Sequence, residues 1–83
     1  MKYGLLAGNG RFPLLALEAA RGLGHQVVAI GLREEASPEI EALAWRTHWI
    51  SLGQLGRLLE ILKQEGIREL VFAGQVKHAS IFS

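Results

Sequence analysis

Residues 3–7 form a short apolar run that passes through Gly8 and Gly10 into a helical pattern opening at Pro13. A strand that turns at once into a helix is the first unit of a parallel sheet covered by helices, and few other folds accommodate it. Glycine has no Cβ, so Gly8 and Gly10 permit positive φ and close approach of a ligand to the backbone, while Pro13 supplies the φ of a first helical position. The unpaired amides and positive dipole end of the helix both favour an anion at such a turn. The stretch departs from the dinucleotide fingerprint G-x-G-x-x-G. Pro13 occupies the place of the third glycine, and the second strand ends Gly31-Leu32-Arg33, with no acid for a ribose hydroxyl. The expectation is a phosphate-type turn, not a dinucleotide site.

Along the chain the same unit repeats. Phe12, Leu15, Ala16, Ala19, Ala20 and Leu23 share one broad helical face, expected to be the buried one, and Gly22 and Gly24 end that helix. Residues 26–31 are a continuous apolar run, expected as a strand buried on both faces. Ser37-Pro38-Glu39 opens a short helix over residues 38–44, expected to connect rather than cover. Residues 46–50 are a more polar strand, expected at the sheet edge. Ser51 and Gln54 have capping-box spacing, and Leu55, Leu58, Leu59 and Leu62 mark the inner face of a second main helix that Gly66 stops. Residues 69–73 are a second fully apolar strand, with Gly74 at its turn. Beyond it stands no helix long enough to cover that strand, which leaves Leu70, Phe72, Ile81 and Phe82 in search of a partner, so self-association is expected.

The fold class that follows is α/β: a Rossmann-like, three-layer parallel sheet of about four strands in the order 3-2-1-4, with two main helices and a short connector helix, all one domain over residues 1–83. The crevice lies beyond the carboxyl ends of strands one and four, where the order reverses. Gly8, Asn9, Gly10, Arg11 and Phe12 face Gly74, Gln75 and Lys77 there, and Arg11, Lys77 and His78 are the basic groups on the rim, suited to phosphate or another anion. A formal charge of +1 makes no case for nucleic acid, no apolar run approaches the ~18 residues of a membrane span, and residues 1–7 are not expected to act as a secretion signal. With no cysteine, disulfides and thiolate metal sites are excluded.

All eight acidic residues are glutamates. Glu18, Glu60 and Glu65 fall on or at the ends of the main helices, Glu34, Glu35, Glu39 and Glu41 around the connector, and Glu69 at the amino end of strand four. The expectation is therefore no catalytic residue, no metal ligand set and no carboxylate at the crevice. His25 and His48 are scattered and read as surface or strand-face residues, and Trp45 and Trp49 as packing under the connector.

The segments GLLAGNGRFPLL and HWISLGQLGRLLEILKQEGIRELVFAGQVKH, taken together, resemble the N-terminal domain of the UDP-2,3-diacylglucosamine pyrophosphatases of the LpxI type, over essentially all 83 residues. The resemblance implies a cytoplasmic or peripheral inner-membrane enzyme of lipid A biosynthesis. Such an enzyme uses magnesium to split a UDP-linked diacylated glucosamine into UMP and the acylated sugar phosphate lipid X. It also implies a separate C-terminal domain that carries the catalytic aspartate. By position, Gly10 to Phe12 and Ser80-Ile81 would touch the acylated sugar phosphate; His78-Ala79 stands where the family has an arginine-proline pair. The chain is then the binding half, inactive without the catalytic domain and binding no cofactor itself, with lipid X or UDP-diacylglucosamine, a second copy or the catalytic domain as partners. The alternative is a stand-alone nucleotide- or anion-binding Rossmann-like module without enzymatic activity.

Overall fold

The computed structural model describes residues 2–77. Its elements are β1 (Lys2–Ala7), α1 (Phe12–Gly22), β2 (Gln26–Leu32), α2 (Ile40–Leu43), β3 (Arg46–Ile50), a 3-10 turn (Leu52–Gln54), α3 (Gly56–Glu65) and β4 (Leu70–Ala73). The four strands form one parallel sheet in the order β3-β2-β1-β4, as the alternating pattern requires. Ala7 pairs in register with Gly31 on one side and Ala73 on the other, so β1, β2 and β4 reach the same rim together.

Helices lie on both faces. Leu17 of α1 and Ile40 of α2 pack with Leu5, Ala7, Val27, Ala29 and Ala73 on one face, and Ile61 of α3 packs with Ile30, Leu32 and Ile50 on the other. Both main helices stop by the same device. Gly24 and Gly66 have φ of 79° and 69°, and His25 and Ile67 donate back to the carbonyls of Ala20 and Leu62, the bond pattern of a Schellman motif. Gln54 closes its expected box by accepting the Ser51 N–H at 3.0 Å, although the turn it caps is 3-10 and α3 begins two residues later.

Five expectations are corrected. The inner stripe of α1 is Pro13 and Leu17 flanked by Leu14, Ala16 and Ala20, while Phe12, Leu15, Ala19 and Leu23 face outward, Leu23 at 76% exposure. The small Ala16 and Ala20 let the helix sit close to the sheet, and Pro13 is pressed against the loop after β4, so the helix settles on the neighbouring stripe. The α3 helix turns in part likewise: Ile61 and Glu65 are buried, Leu58 and Leu62 pack against the core as expected, and Leu55 and Leu59 are exposed. The connector α2 also covers, since Ile40 is fully buried against the sheet.

Strand β4, expected as a buried strand, is an edge with Leu70, Val71 and Phe72 exposed and only Ala73 buried. The shortage of cover inferred for Leu70 and Phe72 is present; Ile81 and Phe82 lie outside the described residues. Trp49 packs under α2 and donates to Glu41 at 2.7 Å, whereas Trp45 is exposed, its ring flanked by Lys2 and Arg46. Among the described residues no helix is long and apolar enough to cross a membrane.

Candidate functional site

The chain leaves β1 and β4 at the same level, and the two loops clasp. Gly8 donates to the Ala73 carbonyl at 2.9 Å, Asn9 donates to Gln75 at 2.6 Å, and Gln75 donates back to Asn9 at 3.0 Å. The clasp leaves no room for side chains at two positions. A Cβ on Gly8 would fall 2.6 Å from the Gln75 oxygen, and one on Gly74 2.6 Å from the Asn9 oxygen. Gly10 differs: its φ is +105°, and nothing stands within 4 Å of where a Cβ would be. The glycines thus divide between loop packing, at Gly8 and Gly74, and an open turn at Gly10.

Above the clasp is a cavity of about 380 Å³ lined by Asn9, Gly10, Arg11, Phe12, Gly74, Gln75 and Lys77. Every residue expected to contact a ligand in the described part of the chain lines it except Gly8, which lies in the clasp beneath; His78, Ser80 and Ile81 lie outside the described residues. Phe12 is a wall of the cavity and not core, at 62% exposure.

Helix α1 begins here, one residue earlier than Pro13 suggested. Its N-cap, Arg11, makes no side-chain cap bond, and the Arg11 carbonyl accepts from Leu14 and Leu15 at 3.0 and 3.1 Å. A helix start without a side-chain cap, flanked by the cations Arg11 and Lys77, offers donors and positive charge to an anion. Among the described residues the lining includes no carboxylate and no base beside a nucleophile; its charged groups are the cations Arg11 and Lys77.

The family model for the LpxI N-terminal domain matches residues 2–83. The chain belongs to this family. Membership relates it to lipid A biosynthesis. No curated protein and no solved structure matches the chain.

Two glutamates of this LpxI N-terminal domain have roles that sequence order did not reveal. Glu35, placed around the connector by the sequence, is buried at 6% exposure, and its Oε2 accepts the Lys77 N–H at 3.0 Å. A carboxylate therefore does reach the carboxyl-end rim, against expectation. The contact spans 42 positions and two strands that are not neighbours, so no local signal announces it. Glu65 lies at the opposite, amino end of the sheet, with Arg46 at 2.9 Å, His48 at 2.7 Å and Lys2 at 3.4 Å. The His48 hydrogen bond, aided by Arg46 and Lys2, outweighs burial and holds the Glu65 carboxyl down to about 2. His48 is thus a partner of a buried acid, not an isolated strand-face residue, while His25 packs edge-on against Tyr3.

Magnesium takes hard oxygen donors, usually one or two carboxylates with substrate phosphates. The cavity lining does not fit that requirement: it offers backbone, amide and cationic groups, and the nearby Glu35 is turned to the Lys77 amide. Among the described residues no group of three or more His, Cys, Asp or Glu is placed to hold a metal.

Proposed function

We propose that this chain is the substrate- and product-binding part of a UDP-2,3-diacylglucosamine pyrophosphatase, holding the acylated sugar phosphate at the cavity between residues 8–12 and 74–77, with hydrolysis carried out by a separate catalytic domain. One observation carries the choice of ligand: the cations Arg11 and Lys77 share a cavity with exposed Phe12, and Leu15 lies one turn further along the same outer face of α1. Cationic and apolar surface side by side suit an amphiphile with a phosphate head better than a free nucleotide. Family membership supports the same reading. The turn at Gly10 leaves open space beside the start of α1 for that head.

Titration of the chain with lipid X, followed by backbone amide shifts, tests the proposal. The largest shifts are expected at Gly10, Arg11, Phe12 and Lys77, and Arg11→Ala or Lys77→Ala should each weaken binding about tenfold, the loss of one charge-assisted hydrogen bond. UMP or inorganic phosphate binding as tightly as lipid X would favour the anion-binding module instead. Shifts confined to other surfaces would overturn both readings. In an assay with UDP-2,3-diacylglucosamine and magnesium, the chain by itself should release no UMP. Turnover that is lost on replacing one of its glutamates would refute the division of labour.

A further inference from the structure

We propose that Glu35 is the positioning residue of the cavity and that, with its neighbour Glu34, it ties the loops after β2, β3 and β4 into one rim. The inference rests on the cavity being the binding site.

The chain turns sharply as it leaves β2, with Glu35 and Ala36 both donating to the Leu32 carbonyl, at 2.9 and 2.8 Å. The turn sends two consecutive carboxylates in opposite directions along the sheet. On the β3 side, Arg33 donates to Ile50 at 2.9 Å, and Glu34 Oε1 accepts the Leu52 N–H at 3.0 Å, gripping the loop into α3. On the other side, Glu35 Oε2 accepts the Lys77 N–H. Because β1 lies between β2 and β4, Glu35 must reach across the end of β1 to do so. Burying a carboxylate is unfavourable unless hydrogen bonds meet it, so a buried acid that accepts a backbone N–H marks a segment that the fold holds in place.

The held segment is a cavity wall. The loop after β4 is fastened at Gln75 by the Asn9 clasp and at Val76 by packing in the core on the α3 face. Glu35 fastens the next residue, Lys77, which lines the cavity together with Arg11. The placement of Lys77 in the lining is therefore set in part from the turn after β2, a segment that contributes no residue to the lining. In a dinucleotide-binding fold an acid at the end of the second strand would take a ribose hydroxyl. Here an acid that follows β2 accepts a backbone N–H of the protein itself.

Amide hydrogen exchange and binding on the same variants test this. In the ligand-free protein, Glu35→Ala should speed exchange at Lys77 about tenfold or more while leaving Leu52 unchanged, and Glu34→Ala should do the reverse. Glu35→Gln, whose amide oxygen accepts the same bond, should restore most of the protection. With glucosamine 1-phosphate as probe, Glu35→Ala should weaken binding about fivefold or more and Glu35→Gln should recover it. If Glu35→Ala does not fold, Glu35→Met keeps the volume without the acceptor and serves in its place; global unfolding of both would overturn a role confined to the rim. Unchanged Lys77 exchange in a folded variant overturns the tie, and faster exchange with unchanged affinity overturns positioning. If the wild-type chain binds neither the probe nor lipid X, the proposed function fails while Lys77 exchange still decides whether Glu35 holds the rim.

Discussion

Gly8 and Gly10 stand two residues apart in one turn, yet they fail for different reasons when changed. Gly8→Ala drives a methyl into backbone oxygen, which cannot move aside as a side-chain end can, so the clasp must part; the expected loss is about 2–3 kcal/mol, read from urea denaturation. Gly10→Val meets open space and incurs only the backbone strain of its positive φ, about 1–3 kcal/mol, so a folded protein with weakened lipid X binding is expected. Equal affinity in folded Gly10→Val would remove the turn from the site. Glu65 is a buried acid whose charge the fold depends on. Its folded pKa of about 2 lies below the ordinary 4.5, so its stabilisation is present above pH ~4.5 and is lost as pH falls through that interval towards 2. Glu65→Gln should lower stability near neutral pH by about 1–3 kcal/mol, at the modest end for a buried ion group because Arg46 is half exposed. It should also flatten the difference between unfolding midpoints at pH 6 and pH 3. A wild-type midpoint that does not move between those two pH values would contradict the assignment.

At the scale of elements, periodicity located both main helices but did not choose their inner face. In α1 the stripes through Phe12, Leu15 and Leu23 and through Pro13, Leu17 and Ala20 are adjacent and both apolar. What decides between them is contact: Pro13 against the β4 loop and small alanines against the sheet. Leu17→Ala should therefore cost about 2–4 kcal/mol, while Leu15→Lys, outside the core, should stay within about 0.5 kcal/mol. Comparable losses from the two variants in chemical denaturation would restore the stripe expected from the pattern. The two sheet edges contrast as well. Strand β3 carries Arg46, Thr47 and His48, polar groups that discourage pairing with another sheet, whereas β4 is Leu-Val-Phe-Ala with Phe72 at 50% exposure.

For the molecule as a whole, that unprotected edge predicts association. The outward residues of β4 join those of α1, namely Phe12, Leu15 and Leu23, in apolar surface that a small domain does not leave open without consequence. Sedimentation at rising concentration should show self-association, reduced by Phe72→Lys; a strictly monomeric wild type at high concentration would count against it. The sequence by itself determined the parallel α/β order, the helix stops and the glycine turns of the site, because each is written in neighbouring residues: strand runs, αL glycines and a proline. Since strands one and four must be neighbours in that order, it also brought Asn9–Phe12 to Gly74–Lys77. Tertiary structure decided which apolar stripes face inward, that β4 is an open edge, that Gly8 and Gly74 serve the clasp while Gly10 stays open, and that Glu35 and Glu65 are buried with distant partners. Those outcomes depend on contacts such as Glu35 to Lys77 and Glu65 to His48, made by residues 42 and 17 positions apart. Hydrogen bonds at that range exist only once the sheet has formed, so no local pattern encodes them.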